Sequence, residues 1–280
     1  MAPSPLPQPE RLLDPLDAVG LDAGPRPTDP PRRWWGRPVA ELRWQAELAR
    51  LLVDPVFRGE GVRRGDGTPV VLIPGFLAGD SSLAIMRSWL GRMGYDPRPS
   101  AIVANIDCSD RALDRLERRV ERVAEQTGRT VALVGHSRGG HFVKALSHRR
   151  PELVCSAISI GAGLDTPFDI SLPTKAAVAA FRRYYAYTSD RGLHRGCFSA
   201  GCRCRFTTDY SAPFPSKVPL TSIYSPGDGV VWWEACVVPY ARCVPVSGSH
   251  VGMACNRKVY RTLADTLADD TRAARDRQPT

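Results

Sequence analysis

The sequence VALVGHSRGG, at residues 131–140, decides which fold we expect of this chain. It opens with a short apolar run, which is typical of a strand buried on both faces of a sheet. The run leads into GHSRG at residues 135–139, a G-x-S-x-G pattern, and a helical segment follows to about Arg150. In this strand–turn–helix setting the sharp turn needs glycine on both sides of the serine and holds its hydroxyl above the sheet edge. The stretch therefore predicts that Ser137 is a nucleophile.

Strands and helices are predicted to alternate on both sides of this stretch. The expected strands lie in PVVLIPG (69–75), at 99–104, at 153–161, in PLTSIYS (219–225) and in ARCVPVSG (241–248). Helices are expected at about 39–53, at 82–93 and from a cap at Ser109 or Asp110 to Gly128. A last helix carries Val259, Leu263 and Leu267. This alternation predicts an α/β fold whose central sheet is mostly parallel and is covered by helices on both faces.

A serine hydroxyl needs a base that takes its proton. His250 lies in VSGSHVGM (246–253), in the loop after the last predicted strand. In a parallel sheet that loop lies at the carboxyl edge, where Ser137 is also expected. The other histidines are less suitable. His136 and His141 are too close to the serine in sequence, His148 is expected on the surface near the far end of the nucleophile helix, and His194 lies in the irregular stretch after residue 164. We therefore predict that His250 is the base.

The imidazole in turn needs a carboxylate that fixes its tautomer and stabilises the cation. Two aspartates follow predicted strands at the expected edge, Asp228 in TSIYSPGDGVV and Asp165 in ISIGAGLD. Asp228 follows the strand that directly precedes the histidine strand, and its Gly-Asp-Gly setting leaves the carboxylate accessible. Asp165 is equally compatible with a helix cap or an ordinary loop residue. We predict Asp228 as the acid and keep Asp165 as the alternative.

Two backbone N–H groups are expected to stabilise the oxyanion of the transition state. The first belongs to Arg138, the residue after the nucleophile. The second is expected from the loop after the strand PVVLIPG, where Phe76 is the first choice and Leu77 the second. Pro74 has no N–H and cannot donate.

Together these motifs resemble the α/β-hydrolase superfamily, in the order Ser, Asp, His. Within it, PVVLIPGF, VALVGHSRGG, SIYSPGDGVV and GSHVGM look like the lipase and esterase branch, over about residues 66–270. The resemblance implies the α/β-hydrolase fold, the same nucleophile, acid, base and oxyanion donors, and no cofactor or metal. Many lipases have His-Gly where this chain has Pro74-Gly75, so the resemblance is weakest in the oxyanion loop.

We expect a Pro-rich leader at residues 1–32, either a solvated extension or a docking tail, followed by a single domain at 33–280. An irregular stretch at about 164–218, with a helix at 174–187, is expected to be a lid insertion. Its aromatic and arginine side chains fit either a helix packed on the core or an amphipathic cover that touches a lipid surface. The start of the chain does not resemble a secretion signal, which favours a cytoplasmic protein.

The net charge of +9 comes almost entirely from arginine, because the chain has four lysines, Lys144, Lys175, Lys217 and Lys258. Without a recognised nucleic-acid module we expect no nucleic-acid partner, and the substrate is expected to be a small-molecule or lipid ester. Eight cysteines leave three alternatives: a disulfide between Cys202 or Cys204 and Cys236, a zinc site of Cys197, Cys202 and Cys204, or free thiols.

The sequence as a whole predicts a serine hydrolase that cleaves carboxylic esters through an acyl-enzyme. The first alternative is an acyltransferase, which uses the same three residues with an acceptor other than water. The second is a non-catalytic binding module that retains the fold, and the complete set of Ser137, Asp228 and His250 argues against it.

Overall fold

The computed structural model describes residues 41–188 and 202–277 of the chain. The predicted leader at 1–32, His194 and Cys197 lie outside the described residues. A six-stranded sheet, in the order β2-β1-β3-β4-β5-β6, forms the centre, and every neighbouring pair of strands is parallel. The strands are β1 (Pro69–Ile73), β2 (Asp96–Pro99), β3 (Val131–His136), β4 (Val154–Ile160), β5 (Leu220–Tyr224) and β6 (Arg242–Pro245).

Helices connect and cover these strands. They are α1 (Trp44–Val53), α2 (Pro55–Arg58), α3 (Ala84–Arg92), α4 (Ser109–Thr127), α5 (Arg138–Arg149), α6 (Leu172–Thr188), α7 (Arg205–Ser211) and α8 (Arg257–Asp276). Short 3₁₀ turns lie at Glu41–Arg43, Asp80–Leu83, Trp233–Cys236 and Val251–Cys255. None of the helices in the two described ranges combines the length and the apolar character needed to cross a membrane.

The sheet lies between two apolar clusters, one on each face. In β1, Val70 and Leu72 belong to one cluster, and Val71 and Ile73 belong to the other, because successive strand side chains point to opposite faces. The first cluster also contains side chains of α1, α3 and α8, and the second contains side chains of α4, α5 and α7. Strands buried on both faces explain the continuous apolar runs of the sequence. The predicted α/β architecture with helices on both faces is confirmed.

The second strand lies earlier than expected, at Asp96–Pro99 rather than at residues 99–104. The chain leaves the sheet after Pro99 because the carboxylate of Asp80 accepts hydrogen bonds from the backbone N–H groups of Ser100, at 3.1 Å, and Ala101, at 2.9 Å. Ala101 has a positive φ of 67°, which ends the extended conformation. The apolar pattern was misleading here, since Val103 is 94% exposed.

The predicted cap of α4 is also wrong. Cys108 occupies the cap position and makes no side-chain capping bond. Asp110 instead accepts a hydrogen bond from the backbone N–H of Phe206 at 2.8 Å, and the Ser109 hydroxyl accepts one from Arg138 at 3.1 Å. Both side chains are therefore used in tertiary contacts. The end of the helix at Gly128, in a left-handed conformation, is as expected.

The region expected to be a lid, between β4 and β5, contains two helices. The first, α6, corresponds to the helix expected at residues 174–187, whereas α7 was not anticipated. Helix α7 is part of the body of the domain, because Phe206 and Tyr210 are buried in the second apolar cluster. The α7 part of the expected lid therefore packs in the body of the domain.

Candidate active site

Ser137 lies in the turn between β3 and α5, with φ 54° and ψ −126°. Residues other than glycine rarely adopt a positive φ, and such strain persists only where the surroundings impose it. Here the Ser137 N–H donates to the carbonyl of Ile160 at 2.8 Å, and the Ser137 carbonyl accepts from the N–H of Gly140 at 2.8 Å. The turn therefore holds the serine between the end of β4 and the first turn of α5.

The two glycines of the motif are required by close backbone contacts. A Cβ on Gly135 would lie 2.3 Å from the carbonyl carbon of Gly139, and a Cβ on Gly139 would lie 2.1 Å from the carbonyl oxygen of Ile73. Neither distance is possible between atoms that are not bonded. The G-x-S-x-G pattern therefore has a steric cause, which is the close packing of α5 against β1 and β3.

His250 and Asp228 meet in the loops that follow β6 and β5. The Nδ1 atom of His250 lies 2.7 Å from Oδ2 of Asp228, and both side chains are buried. The second carboxylate oxygen, Oδ1, accepts the backbone N–H groups of Val230 at 2.7 Å and Val231 at 2.8 Å. One oxygen is thus fixed by the backbone and the other faces the imidazole. Asp165, the alternative acid, accepts a hydrogen bond from the hydroxyl of Tyr240 at 3.1 Å.

The electrostatic surroundings of His250 favour its charged form. Burial alone would lower the pKa of the imidazole, but the charge of Asp228, the hydrogen bond to it and the charge of Glu41 raise the pKa above 6.5. A base with a raised pKa takes a proton more readily. The Nδ1 contact leaves Nε2, on the opposite side of the ring, as the atom that can exchange protons with a substrate or a serine hydroxyl.

His136 packs against His250, a contact that was not predicted from the sequence. The two ring centroids are 5.0 Å apart, and Nε2 of His136 lies 2.9 Å from the backbone carbonyl oxygen of His250. Because a carbonyl can only accept, Nε2 carries the proton. Burial and the neighbouring His250 lower the pKa of His136 to about 4, so that this ring stays neutral. The signal in the sequence for a role of His136 in the site was that it directly precedes Ser137.

Ser137 and His250 share neighbours but are not directly hydrogen-bonded to each other in the structure. The Ser137 N–H is bound by Ile160, and a Cβ on the next residue, Gly161, would lie 3.3 Å from Nδ1 of His250. Both residues therefore lie at the same edge of the sheet. Catalytic hydrogen bonds are often long in the absence of substrate and shorten when it binds.

The loop after β1 is held by Asn105. The side-chain amide of Asn105 donates to the carbonyl of Pro74 at 2.7 Å, and its backbone carbonyl accepts the N–H of Leu77 at 3.3 Å. The Leu77 N–H is therefore already engaged by Asn105. The ring of Phe76 makes an edge-to-face contact with Phe181 of α6, with centroids 5.6 Å apart.

The guanidinium of Arg138 is a second feature that sequence reasoning missed. It donates to the carbonyl of Asn105 at 2.8 Å, to Oδ1 of Asn105 at 2.9 Å and to the carbonyl of Asp107 at 2.7 Å. Arg138 thus links the serine turn to the segment that holds the loop after β1. From the sequence, only the backbone N–H of Arg138 was expected to have a role. The signal in the sequence for a role of this side chain was its charge, directly after the predicted nucleophile.

The cysteines of the described residues form no disulfide with one another. The Sγ atoms of Cys202 and Cys204 lie 3.3 Å apart, whereas Cys236 is buried and burial strongly raises the pKa of its thiol. The bridge from Cys202 or Cys204 to Cys236 is therefore not formed. In the described part of the chain no three His, Cys, Asp or Glu side chains are grouped as metal ligands.

No family model matches the sequence. Among solved structures, the mature lipase BlEst2 of Bacillus licheniformis is 15% identical, with a TM-score of 0.51 over 74% of this chain and 94% of that one. A soluble variant of monoglyceride lipase from Saccharomyces cerevisiae is also 15% identical, with a TM-score of 0.51 over 75% of this chain and 90% of that one. A metagenome-derived lipolytic enzyme is 14% identical, with a TM-score of 0.50 and coverages of 75% and 96%. Identities this low show the fold alone, and the chain therefore has the α/β-hydrolase fold of these lipases and esterases.

Proposed function

We propose that this protein is a serine hydrolase that cleaves carboxylic esters through an acyl-enzyme. Ser137 is the nucleophile, His250 is the general base and acid, and Asp228 orients the imidazole. The backbone N–H groups of Phe76 and Arg138 are the oxyanion donors. The fold shared with solved lipases and esterases supports a hydrolase at the level of fold.

The observation that carries this proposal is the 2.7 Å contact between Nδ1 of His250 and Oδ2 of Asp228. Its weight comes from its location, because the pair lies at the sheet edge at which the strained turn presents Ser137. The strand order also supports a site here. It reverses between β1 and β3, and ligands of open α/β sheets bind at such a switch point, outside the carboxyl ends of the strands.

The proposed reaction has two halves with balanced proton transfers. The Ser137 oxygen bonds to the ester carbonyl carbon while its proton moves to Nε2 of His250, and the tetrahedral oxyanion forms. The bond to the leaving alcohol then breaks as His250 returns the proton to that oxygen. Water attacks the acyl-enzyme, its proton passes to His250, and the acid product leaves when Ser137 recovers the proton.

The substrate class that we propose is a small-molecule or lipid ester. Phe76 of the oxyanion loop contacts Phe181 of α6, which supplies an apolar wall beside the position where an acyl group would bind. This contact supports the proposal that the first part of the insertion, up to α6, is the lid. Acyl groups are well matched to such a wall because burying apolar surface is favourable.

The nucleophile can be tested with Ser137→Ala in the full chain. We expect this variant to lose turnover of p-nitrophenyl esters and labelling by a fluorophosphonate probe, because both require the serine oxygen. Ser82→Ala is the matched control, since that serine is exposed and its hydroxyl bonds only locally to Gly79. Undiminished turnover in Ser137→Ala would refute the assignment. Product analysis with an added alcohol acceptor separates hydrolysis from acyl transfer.

A further inference from the structure

The carboxylate of Glu41 reaches both loops that carry the proposed acid and base. Its Oε1 accepts the backbone N–H of Gly229 at 2.9 Å and that of His250 at 2.8 Å. Its Oε2 accepts the N–H of Val251 at 2.9 Å. Gly229 directly follows Asp228, so one side chain ties together the two loops whose separation sets the His250–Asp228 contact. Hydrogen bonds to a charged acceptor are about twice as strong as neutral ones.

Glu47 provides a second tie between the same N-terminal segment and the histidine loop. Its Oε1 accepts the backbone N–H of Ser249 at 2.9 Å, and its Oε2 accepts the Ser249 hydroxyl at 2.9 Å. The Ser249 hydroxyl in turn accepts the N–H of Gly252 at 3.1 Å. Glu47 is itself buried. Consecutive N–H groups of the loop, from Ser249 to Val251, are thus bound by carboxylates of one segment.

The segment that carries these carboxylates is anchored to the core. It comprises the 3₁₀ turn Glu41–Arg43 and helix α1, and Leu51 of α1 is fully buried in the first apolar cluster. Because α1 is fixed by this packing, Glu41 and Glu47 are presented on a rigid element. Precise positioning of catalytic groups needs support of this kind, since displacement by about 1 Å can cost about 10²-fold in rate.

We propose that Glu41 is a positioning residue, which holds the His250 and Asp228 loops in the arrangement that proton transfer requires. The inference rests on the proposed function, because it assigns a role within that site. Glu41 touches the backbone of the loops and acts through His250, so it is not itself a catalytic residue. Glu47 supports the same loop from its other side.

The negative charge of Glu41 has a second consequence. It contributes, after Asp228, to the raised pKa of His250. Among the described residues His136 also faces His250, and its ring stays neutral. Replacing Glu41 by glutamine is therefore expected to lower the pKa of His250, because only Asp228 would then stabilise the imidazolium by charge.

The test compares wild type, Glu41→Gln and Glu41→Ala, with Glu60→Gln as the control. Glu60 is an exposed carboxylate that pairs with Arg58 and does not touch the site. We expect kcat to fall by about 10-fold or more in Glu41→Ala, with KM nearly unchanged, because loop positioning affects proton transfer more than binding. The acid limb of the pH profile is expected to move to lower pH in Glu41→Gln.

Two measurements that need no turnover separate this inference from the proposed function. The first is an NMR titration of the His250 ring, assigned with His250→Asn. The second is amide hydrogen exchange of Gly229, His250 and Val251 in wild type, which does not depend on a variant folding. A lowered His250 pKa in Glu41→Gln and slow exchange of these amides in wild type support the role. Rapid exchange of these amides overturns the role of Glu41, as does a Glu41→Gln variant whose His250 pKa and kcat equal those of Glu60→Gln. An inactive wild type with protected amides refutes only the proposed ester hydrolysis.

Discussion

At the residue scale, the site depends on two side chains that the surrounding backbone holds in place. Ser137 keeps a positive φ of 54°, a strain that costs on the order of 1–3 kcal/mol and that the packing of α5 against β1 imposes. Asp228 uses one oxygen to accept two backbone N–H groups, which leaves the other oxygen fixed in front of His250. Backbone contacts therefore fix the turn at Ser137 and the carboxylate of Asp228.

Asp228→Asn tests the carboxylate at this scale. In the proposed mechanism the base must be neutral, so activity rises with pH through the pKa of His250, and in wild type that midpoint is expected above 6.5. Removing the charge is expected to move the acid limb to lower pH. Because an amide can present its NH₂ to Nδ1 and favour the wrong tautomer, kcat is also expected to fall by about 10³–10⁴-fold. The pH dependence of kcat/KM is the measurement.

Asp165→Asn is the matched comparison for that experiment. This alternative acid accepts from Tyr240 rather than from an imidazole, so its replacement is expected to leave the acid limb in place. A loss of activity in Asp165→Asn, with Asp228→Asn unaffected, would reverse the assignment of the acid.

At the element scale, loops and helix ends at the carboxyl edge are joined to one another by a few polar side chains. Arg138, in the first turn of α5, binds the segment at residues 105–109, and Asn105 of that segment binds Pro74 and Leu77 in the loop after β1. Glu41 joins the loops after β5 and β6. Each loop of the site is therefore braced by a residue from another element.

The contact between helix α6 and the loop after β1 can be tested by replacing Phe181. Phe181→Ala removes the ring that contacts Phe76, so we expect a weaker apolar wall beside the acyl position. A series of p-nitrophenyl esters should show KM rising several-fold for long acyl chains, with little change for the acetyl ester. Each buried CH₂ contributes about 0.8 kcal/mol, which is why the effect should grow with chain length.

Leu172→Ala provides the control for helix α6, because Leu172 lies in the same helix but is 48% exposed. Its replacement should leave the chain-length profile unchanged. A uniform rise in KM for all esters in Phe181→Ala would contradict a role of the ring in the acyl site.

At the scale of the whole molecule, helices α4, α5 and α7 are joined by an ion-pair network around a buried arginine. The side chain of Arg149 is 2% exposed and lies 2.7 Å from Asp114, 3.1 Å from Glu117 and 2.6 Å from Asp209. These carboxylates belong to α4 and α7, so one guanidinium of α5 joins three helices. The network, together with buried Phe206 and Tyr210, makes α7 part of the body of the domain.

Arg149→Leu tests the network. Removing the arginine takes a buried cation away from three partly exposed carboxylates, and we expect the free energy of unfolding to fall by about 1–3 kcal/mol. Urea unfolding of both proteins is the measurement. Arg58→Ala is the control, because the Arg58–Glu60 pair is exposed and such pairs contribute less than about 1 kcal/mol. Equal stability of Arg149→Leu and wild type would contradict a structural role of the network.

The sequence by itself determined the strands, the turn at Ser137 and the order of elements, because these depend on residues that are close together in the chain. Apolar runs identified β1, β3, β4 and β5, because a strand buried on both faces must be apolar throughout. The glycines around Ser137 indicated the sharp turn, since no other residue fits there. The alternation of strands and helices then placed the loops of Asp228 and His250 at one edge, where the structure has them in contact.

What only the tertiary structure decided are the contacts between residues that are far apart in the chain. The tie between Glu41 and His250 spans 209 positions, and the contact between Arg138 and Asn105 joins two segments with no common pattern. Other contacts between separate segments overrode local signals at β2, through Asp80, and at the cap of α4, through Asp110. A sequence pattern reports the burial of a residue, whereas the partner of a buried polar group depends on which elements the fold brings together.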